Sequence, residues 1–373
     1  MNTLSYKERF IDDGEKMKEF IPKKLPLNND ELETKEILKA TTLAHRALAE
    51  LKGIANSLPN EKIIINSLVL QEAKDSSEIE NIITTYDEVY RSDLSTDFIS
   101  QDIKEVQNYK DALYLGYEII KNNKFISVNH IKEIQATLEQ NDAGFRKQSG
   151  TVLKNPATGE IKLIPPQNPQ DIIDLMSNLV EYINDDMLDD YDALVKMALI
   201  HYQFESIHPF YDGNGRTGRI LNILYLVLEG LLDAPILYLS RYIIKNKSDY
   251  YRLLSSVSFE NGLHEWVLFM LKGVELTAKE TIITIKSIEN LMDETKRTIQ
   301  EQKPKICSKD LLEALFFHPY TKRAFIEDQL GVSRPTATSY LHELENMKIL
   351  SAHKKGREIF YVNDALFELF QAM

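Results

Sequence analysis

Apolar residues recur at three- and four-residue spacing in one segment after another as far as residue 300, and that periodicity restricts the chain to a mainly α fold. Leu38 to Leu51 sets the pattern, and the stretches 64–92, 99–121, 128–139, 170–185, 190–206, 215–230, 246–258 and 263–300 repeat it. Pro59, Gly213 and Gly230 punctuate the series. The segment from Gly150 to Pro166 breaks it. Two short β-prone runs flank an Asn155-Pro156 to Gly159 turn, which predicts a hairpin. One hairpin inside a helical body reads as a functional flap rather than part of a sheet.

The periodic body ends near Gln302–Pro304. Beyond it the sequence predicts helices over 308–317, 321–330 and 333–347, with a tight turn at Gly331. Alternation from Leu350 to Val362 about Lys355-Gly356 reads as a wing. This pattern resembles a winged helix-turn-helix domain. The expected division is 1–95, an N-terminal helical region; 96–300, a catalytic core; and 304–373, the winged-helix domain. A chain of 373 residues is long enough for two or three such units.

Charge separates the tail from the body. The whole chain carries −13, yet residues 304–373 hold nine Lys/Arg and nine Asp/Glu, so the excess sits upstream. An acidic body argues against general nucleic-acid affinity. The N-terminus lacks an apolar core followed by a cleavage site, and the most apolar early stretch, Ile63–Leu70, is interrupted by Asn66 and too short to span a membrane. One cysteine, Cys307, fits a reducing compartment. A cytoplasmic location is expected.

The twelve residues from His208 to Arg219 carry the densest chemistry. His208 suits general-base work near neutral pH. Asp212 is a hard oxygen ligand of the kind Mg²⁺ prefers. Gly213, Asn214 and Gly215 let backbone N–H groups approach an anion closely, where a helix begins and offers its positive dipole end. Arg216 and Arg219 follow three residues apart on one face of that helix, both able to grip phosphate oxygens.

The string matches the Fic signature His-Pro-Phe-x-Asp-Gly-Asn-Gly-Arg-x-x-Arg at every specified position, and the chain resembles that family well beyond it. Gly144-Phe145-Arg146, the hairpin, Ile164-Pro165-Pro166, the helix into Phe204-Glu205-Ser206-Ile207 and Tyr250-Tyr251 all follow in the expected order. The resemblance implies a Fic-type helical bundle with a β-hairpin flap, and a protein adenylyltransferase that moves AMP from ATP to Ser, Thr or Tyr hydroxyls. On that reading His208 is the base and Asp212 holds Mg²⁺. Asn214 and the amides about Gly213 and Gly215 form the anion hole. Arg216 lies on the β/γ side and Arg219 takes the γ-phosphate. Thr217 and Gly218 complete the ATP-binding run, Tyr250 and Tyr251 flank the base or ribose, and the flap aligns the target peptide by strand addition.

Upstream, Ser76 and Glu80-Asn81 resemble the family's inhibitory motif, in a segment expected to be an amphipathic helix. The resemblance implies that Glu80 pairs with Arg219 and takes the guanidinium the γ-phosphate needs. His201 and His208, with Glu205 between them, fit no strong zinc pattern, and His201 is expected to pack or cap. In the tail, Arg334, Thr336, Thr338, Ser339, Tyr340 and His342 lie on the would-be recognition helix, and Lys354, Lys355 and Arg357 in the wing. Its neutral charge ranks DNA below protein docking as a partner. ATP and a target protein are the expected partners, a homodimer is open, and a membrane is not among them. A DNA-binding regulator with a nucleotide-sensing core is the alternative reading.

Overall fold

Short polar residues placed just before apolar runs set where the helices begin. The computed structural model describes residues 7–10, 16–27, 30–56, 61–92, 100–154, 161–355 and 358–371. A hairpin, β1 (Lys7–Phe10) with β2 (Lys16–Glu19), precedes the first helix and was not expected from the helical spacing. α1 (Lys35–Ala55) starts where the Thr34 hydroxyl accepts the Ile37 N–H. α2 (Glu61–Ile79) and α3 (Tyr86–Ser92) follow, then α4 (Gln101–Asn123), capped by Ser100, and α5 (Val128–Glu139), closed by a Ser127–His130 capping box. β3 (Leu153–Lys154) and β4 (Ile161–Leu163) pair as the flap; its predicted turn lies outside the described residues. α6 (Pro169–Asn184) has Asn168 as cap and proline in its first turn, and Asp192 caps α7 (Ala193–Ile207). α8 (Asn214–Leu228), α9 (Ser240–Lys245), α10 (Lys247–Phe259) and the 40-residue α11 (Leu263–Gln302) complete the body.

α7 and α8 form the axis of the core. Every residue of α7 from Leu194 to Ile207 is buried, as is α8 from Arg216 to Leu226. Helices wrapped on all sides show little amphipathic period, so burial here comes from neighbours. α4 crosses α8 at Gly116, where a Cβ would stand 2.4 Å from Leu224 Cδ1. Trp266 of α11 is fully buried and donates its indole N–H to the Ala198 carbonyl at 2.8 Å.

The expected helix over 64–92 is broken, and its first part is not amphipathic. α2 is buried continuously from Ile65 to Ser77, including Gln71, Glu72, Asp75 and Ser76. These polar groups are partnered rather than solvated. Glu72 accepts from the Tyr109 hydroxyl at 2.9 Å and the Ser240 N–H at 3.1 Å, and burial pushes its carboxyl up to about 7. α2 is thus held on a polar side by α4 and α9.

The tail folds as α12 (Lys309–Phe317), β5 (Tyr320–Thr321), α13 (Arg323–Leu330), α14 (Arg334–Asn346), β6 (Ser351–Lys355), β7 (Glu358–Val362) and α15 (Asp364–Gln371). Its strands form one antiparallel sheet in the order β5-β7-β6. The expected wing residue Arg357 lies outside the described residues. The tail rests on α2 and α3: Tyr320 donates to Asp87 at 2.5 Å, and Tyr90 meets the His318 ring edge-on at 5.1 Å. Among the described residues no helix is long and apolar enough to cross a membrane.

Because α4 and α8 touch through a missing side chain, Gly116→Val should cost about 1–3 kcal/mol by overpacking. A denaturant melt followed by far-UV circular dichroism checks this, with an unchanged midpoint counting against the close crossing.

Candidate active site

The loop between α7 and α8 is built from two left-handed residues and one bracing side chain. His208 ends α7 at φ 48°, its N–H donating to the Phe204 carbonyl at 3.0 Å. A non-glycine residue adopts that conformation only when its surroundings fix it, as at many functional sites. Gly213 opens α8 at φ 76°, and a Cβ there would also meet Glu139 Oε1 at 2.5 Å, so glycine is required twice over. Between them the Asn214 amide spans the loop, accepting the Phe210 N–H at 2.8 Å and donating to its carbonyl at 2.9 Å. α5 adds a tether: Gln135 Nε2 donates to the Asp212 carbonyl at 3.1 Å.

The His208 ring is neutral at pH 7. Burial, with the nearby Arg146 charge, lowers its pKa to about 4, so it is free to accept a proton. The Asp212 carboxylate is exposed, and its Oδ1 accepts the Gly213 N–H at 2.7 Å. One such carboxylate fits a Mg²⁺ ion that takes its remaining oxygens from phosphates and water.

Arg216 and Arg219 leave α8 in different directions. Arg216 is pinned by two carboxylates, Glu105 of α4 at 3.0 Å and Glu139 of α5 at 2.7 Å. Arg219, only 2 % exposed, reaches α2: Nε donates to the Ser76 hydroxyl, and Nη2 to the Ser76 carbonyl and to Glu80 Oε1, each at 2.8 Å. Burial opposes ionisation of Glu80, but the Arg219 charge and hydrogen bond outweigh it and hold the carboxyl below its usual range. Glu80 also closes over α8, since a Cβ on Gly215 would lie 2.3 Å from its Oε1.

The end of α2 explains the motif's last position. The Ile82 N–H bonds to the Ser77 carbonyl and the Asn81 N–H to Glu78, while Asn81 sits at φ 66°. This is a Schellman ending, whose left-handed residue is glycine or asparagine for steric reasons. Glu80 is therefore the cap of a helix that stops, rather than a residue in the middle of one.

Known proteins place this arrangement. A family model described as Fic/DOC family matches residues 125–226, and one described as Fic/DOC family N-terminal matches 38–118. A third, described as Protein adenylyltransferase SoFic-like, C-terminal domain, matches 291–366. The chain belongs to the Fic/DOC family. It is similar to Protein adenylyltransferase fic-1 of Caenorhabditis elegans, 26% identical over 129 residues, 34% of this chain and 24% of that protein. It is also similar to Protein adenylyltransferase Fic of Drosophila mojavensis, 32% identical over 114 residues, 31% of this chain and 21% of that one. The chain thus spans about a quarter of the length of the curated relatives it matches. A Fic family protein from Desulfovibrio desulfuricans G20 shares the fold at a TM-score of 0.56 and 20% identity, over 88% of this chain and 96% of that one. Fic-1 (residues 134–508) from C. elegans does so at 0.53 and 20%, over 67% and 74%.

Several of the expected site positions make structural contacts of their own. The Asn214 side chain spends its oxygen and one of its two amide N–H groups on Phe210. Gly218 faces α7, where a Cβ would stand 2.6 Å from Glu205 Oε1, and Thr217 is buried. Tyr250 is a core residue, 1% exposed, its hydroxyl 2.8 Å from His201 Nε2 and its ring against Trp266. Tyr251 beside it is 43% exposed. His201 packs between Tyr250 and Trp266, as expected of a structural histidine. Glu105, Glu139 and the Arg146–His208 contact went unread, because the partners lie 62 to 111 residues away and no local spacing marks them.

Glu205 offers a test of this burial. Desolvation pushes its carboxyl from 4.5 up to about 8, against the pull of Arg219. Across that window the unfolded chain releases a proton that the folded chain keeps, so folding weakens as pH rises. Glu205→Gln should melt with the wild type near pH 5 and several degrees above it near pH 8. Parallel pH dependence of the two melting temperatures would contradict a neutral, buried Glu205.

Proposed function

We propose that this chain is a protein adenylyltransferase held back by its own α2. The observation that carries the reading is a neutral imidazole at one end of a short, braced loop. At the other end stand a helix N-terminus that no side chain caps and a buried arginine engaged by a carboxylate.

In the proposed reaction ATP lies over the start of α8 with its phosphates toward the N–H groups of the first turn. His208 takes the proton from a Ser, Thr or Tyr hydroxyl of the target as that oxygen bonds to the α-phosphorus. The bond from the α-phosphorus to the bridging oxygen breaks, and pyrophosphate leaves with that electron pair. His208 then passes its proton to the leaving group or to water. Such chemistry depends chiefly on positioning and charge stabilisation, which this residue set supplies in kind. Asp212 would hold Mg²⁺, which neutralises charge on the phosphates when bound. The flap strand β3 or β4 would carry the target peptide by backbone pairing. Arg216, pinned between Glu105 and Glu139, contributes to phosphate binding only once those carboxylates give way. A cytoplasmic site of action fits the single cysteine.

Glu80 is the proposed brake. It occupies the guanidinium that would bind the γ-phosphate and sets a negative charge beside a polyanion. Hydrogen bonds to charged groups contribute about 1.5–3 kcal/mol each, enough to disfavour productive ATP by tenfold or more.

Glu80→Gly should raise incorporation of label from the α-phosphate of ATP into lysate protein by at least about tenfold. His208→Ala should abolish it in either background. An unchanged rate on losing Glu80 would sink the brake, and label arriving only from the γ-phosphate would replace AMP transfer with a kinase.

A further inference from the structure

We propose that Arg146, in the segment between α5 and β3, is a positioning residue that holds the backbone of the His208 base and ties it to the flap. The proposal rests on the adenylyltransferase reading above.

Arg146 is 1% exposed. Its Nε–H donates to the His208 carbonyl at 2.8 Å, and Nη2 donates to the Ile207 carbonyl at 3.2 Å and to the Pro166 carbonyl. Its backbone N–H donates to the Pro209 carbonyl at 2.9 Å. One residue therefore grips three successive carbonyls at the turn that bears the base, and a fourth at the root of the flap. His208 needs such support, because its left-handed backbone is unfavourable for an L residue.

A guanidinium suits the task for a geometric reason. Its donors are fixed in a plane and bridge several carbonyls at once, whereas an ammonium presents one mobile point. The flap end of the bridge is itself built in. Glu19, buried at the end of β2, lies near enough to attract the Arg146 charge, and its Oε1 accepts the Gln167 N–H at 2.6 Å, next to Pro166. Phe20 donates its N–H to the Ile164 carbonyl at 2.8 Å. The N-terminal segment, the flap root and the His208 turn converge on one buried cation. A target peptide lying along the flap is thereby placed in fixed register with the base.

The charged groups acting on the His208 ring are Arg146, which disfavours its protonation, and Glu80 and Asp212, which favour it. Removing the Arg146 charge therefore moves the acid limb of the rate profile to higher pH, an effect that a merely structural side chain would not produce.

The test uses the full chain carrying Glu80→Gly as parent, with ATP titrated at fixed lysate and label followed from the α-phosphate. Arg146→Ala should lower the maximal rate about 10–100-fold while the apparent KM for ATP stays within about twofold, since misplacing the base spares nucleotide binding. Its acid limb should move up in pH. Arg146→Lys keeps the charge but not the fork, so it should lose rate with the limb unmoved. If Arg146→Ala does not fold, Arg146→Lys decides: a folded lysine variant at the parental rate overturns the proposal. So does an alanine variant whose rate and KM match the parent's. A parent without transfer activity sinks the adenylyltransferase reading, and this inference with it.

Discussion

Arg219 is the point on which the rest of the structure turns. It is a permanent cation buried in α8, so an anion must be at hand, because an unpaired charge in that setting costs several kcal/mol. The chain supplies its own anion from α2, nearly 140 residues upstream. Everything that positions α2 therefore also positions the counter-charge of the proposed phosphate site. Two hydrogen bonds from Arg219 go to Ser76 and one to Glu80, so the guanidinium reads both the body of the helix and its cap.

That arrangement accounts for a helix that would otherwise look wrong. α2 carries Gln71, Glu72, Asp75 and Ser76 in the interior, where unpartnered polar groups are costly. Tyr109 and Ser240 partner Glu72, and Arg219 partners Ser76, so α2 is held by polar contacts as well as by its buried apolar residues. A buried polar interface specifies one seat for the helix and its cap. The tail extends this hold, since Tyr320 and His318 meet Asp87 and Tyr90 on the helix that follows.

The loop was legible in the sequence because its chemistry is local. His208, Asp212, Gly213 and the arginines fall within one loop and the start of one helix, although the two arginines, expected on one face, leave it in different directions. The helical body and the hairpin were legible for the same reason. What spacing could not show was the far end of each bond. Arg216 has Glu105 and Glu139 as partners, and Arg146 has the turn at His208, all joined only by the packing of α4, α5 and the segment after it. Asn81 was the available sign that α2 ends at Glu80. Read as part of a continuing helix it hid the cap, although an asparagine there is what a left-handed ending calls for. Tyr250 and Tyr251 looked alike in sequence, yet helical pitch sends one into the core and leaves the other at the surface.

The central claim is that Glu80 and the γ-phosphate compete for Arg219. Calorimetric affinities of ATP and ADP for the wild type and for Glu80→Gln test it most directly, because the two nucleotides differ in the group at issue. The account predicts that Glu80→Gln tightens ATP about tenfold or more while ADP changes little, so the preference for ATP grows. An ATP-to-ADP preference that stays the same in the variant would contradict it.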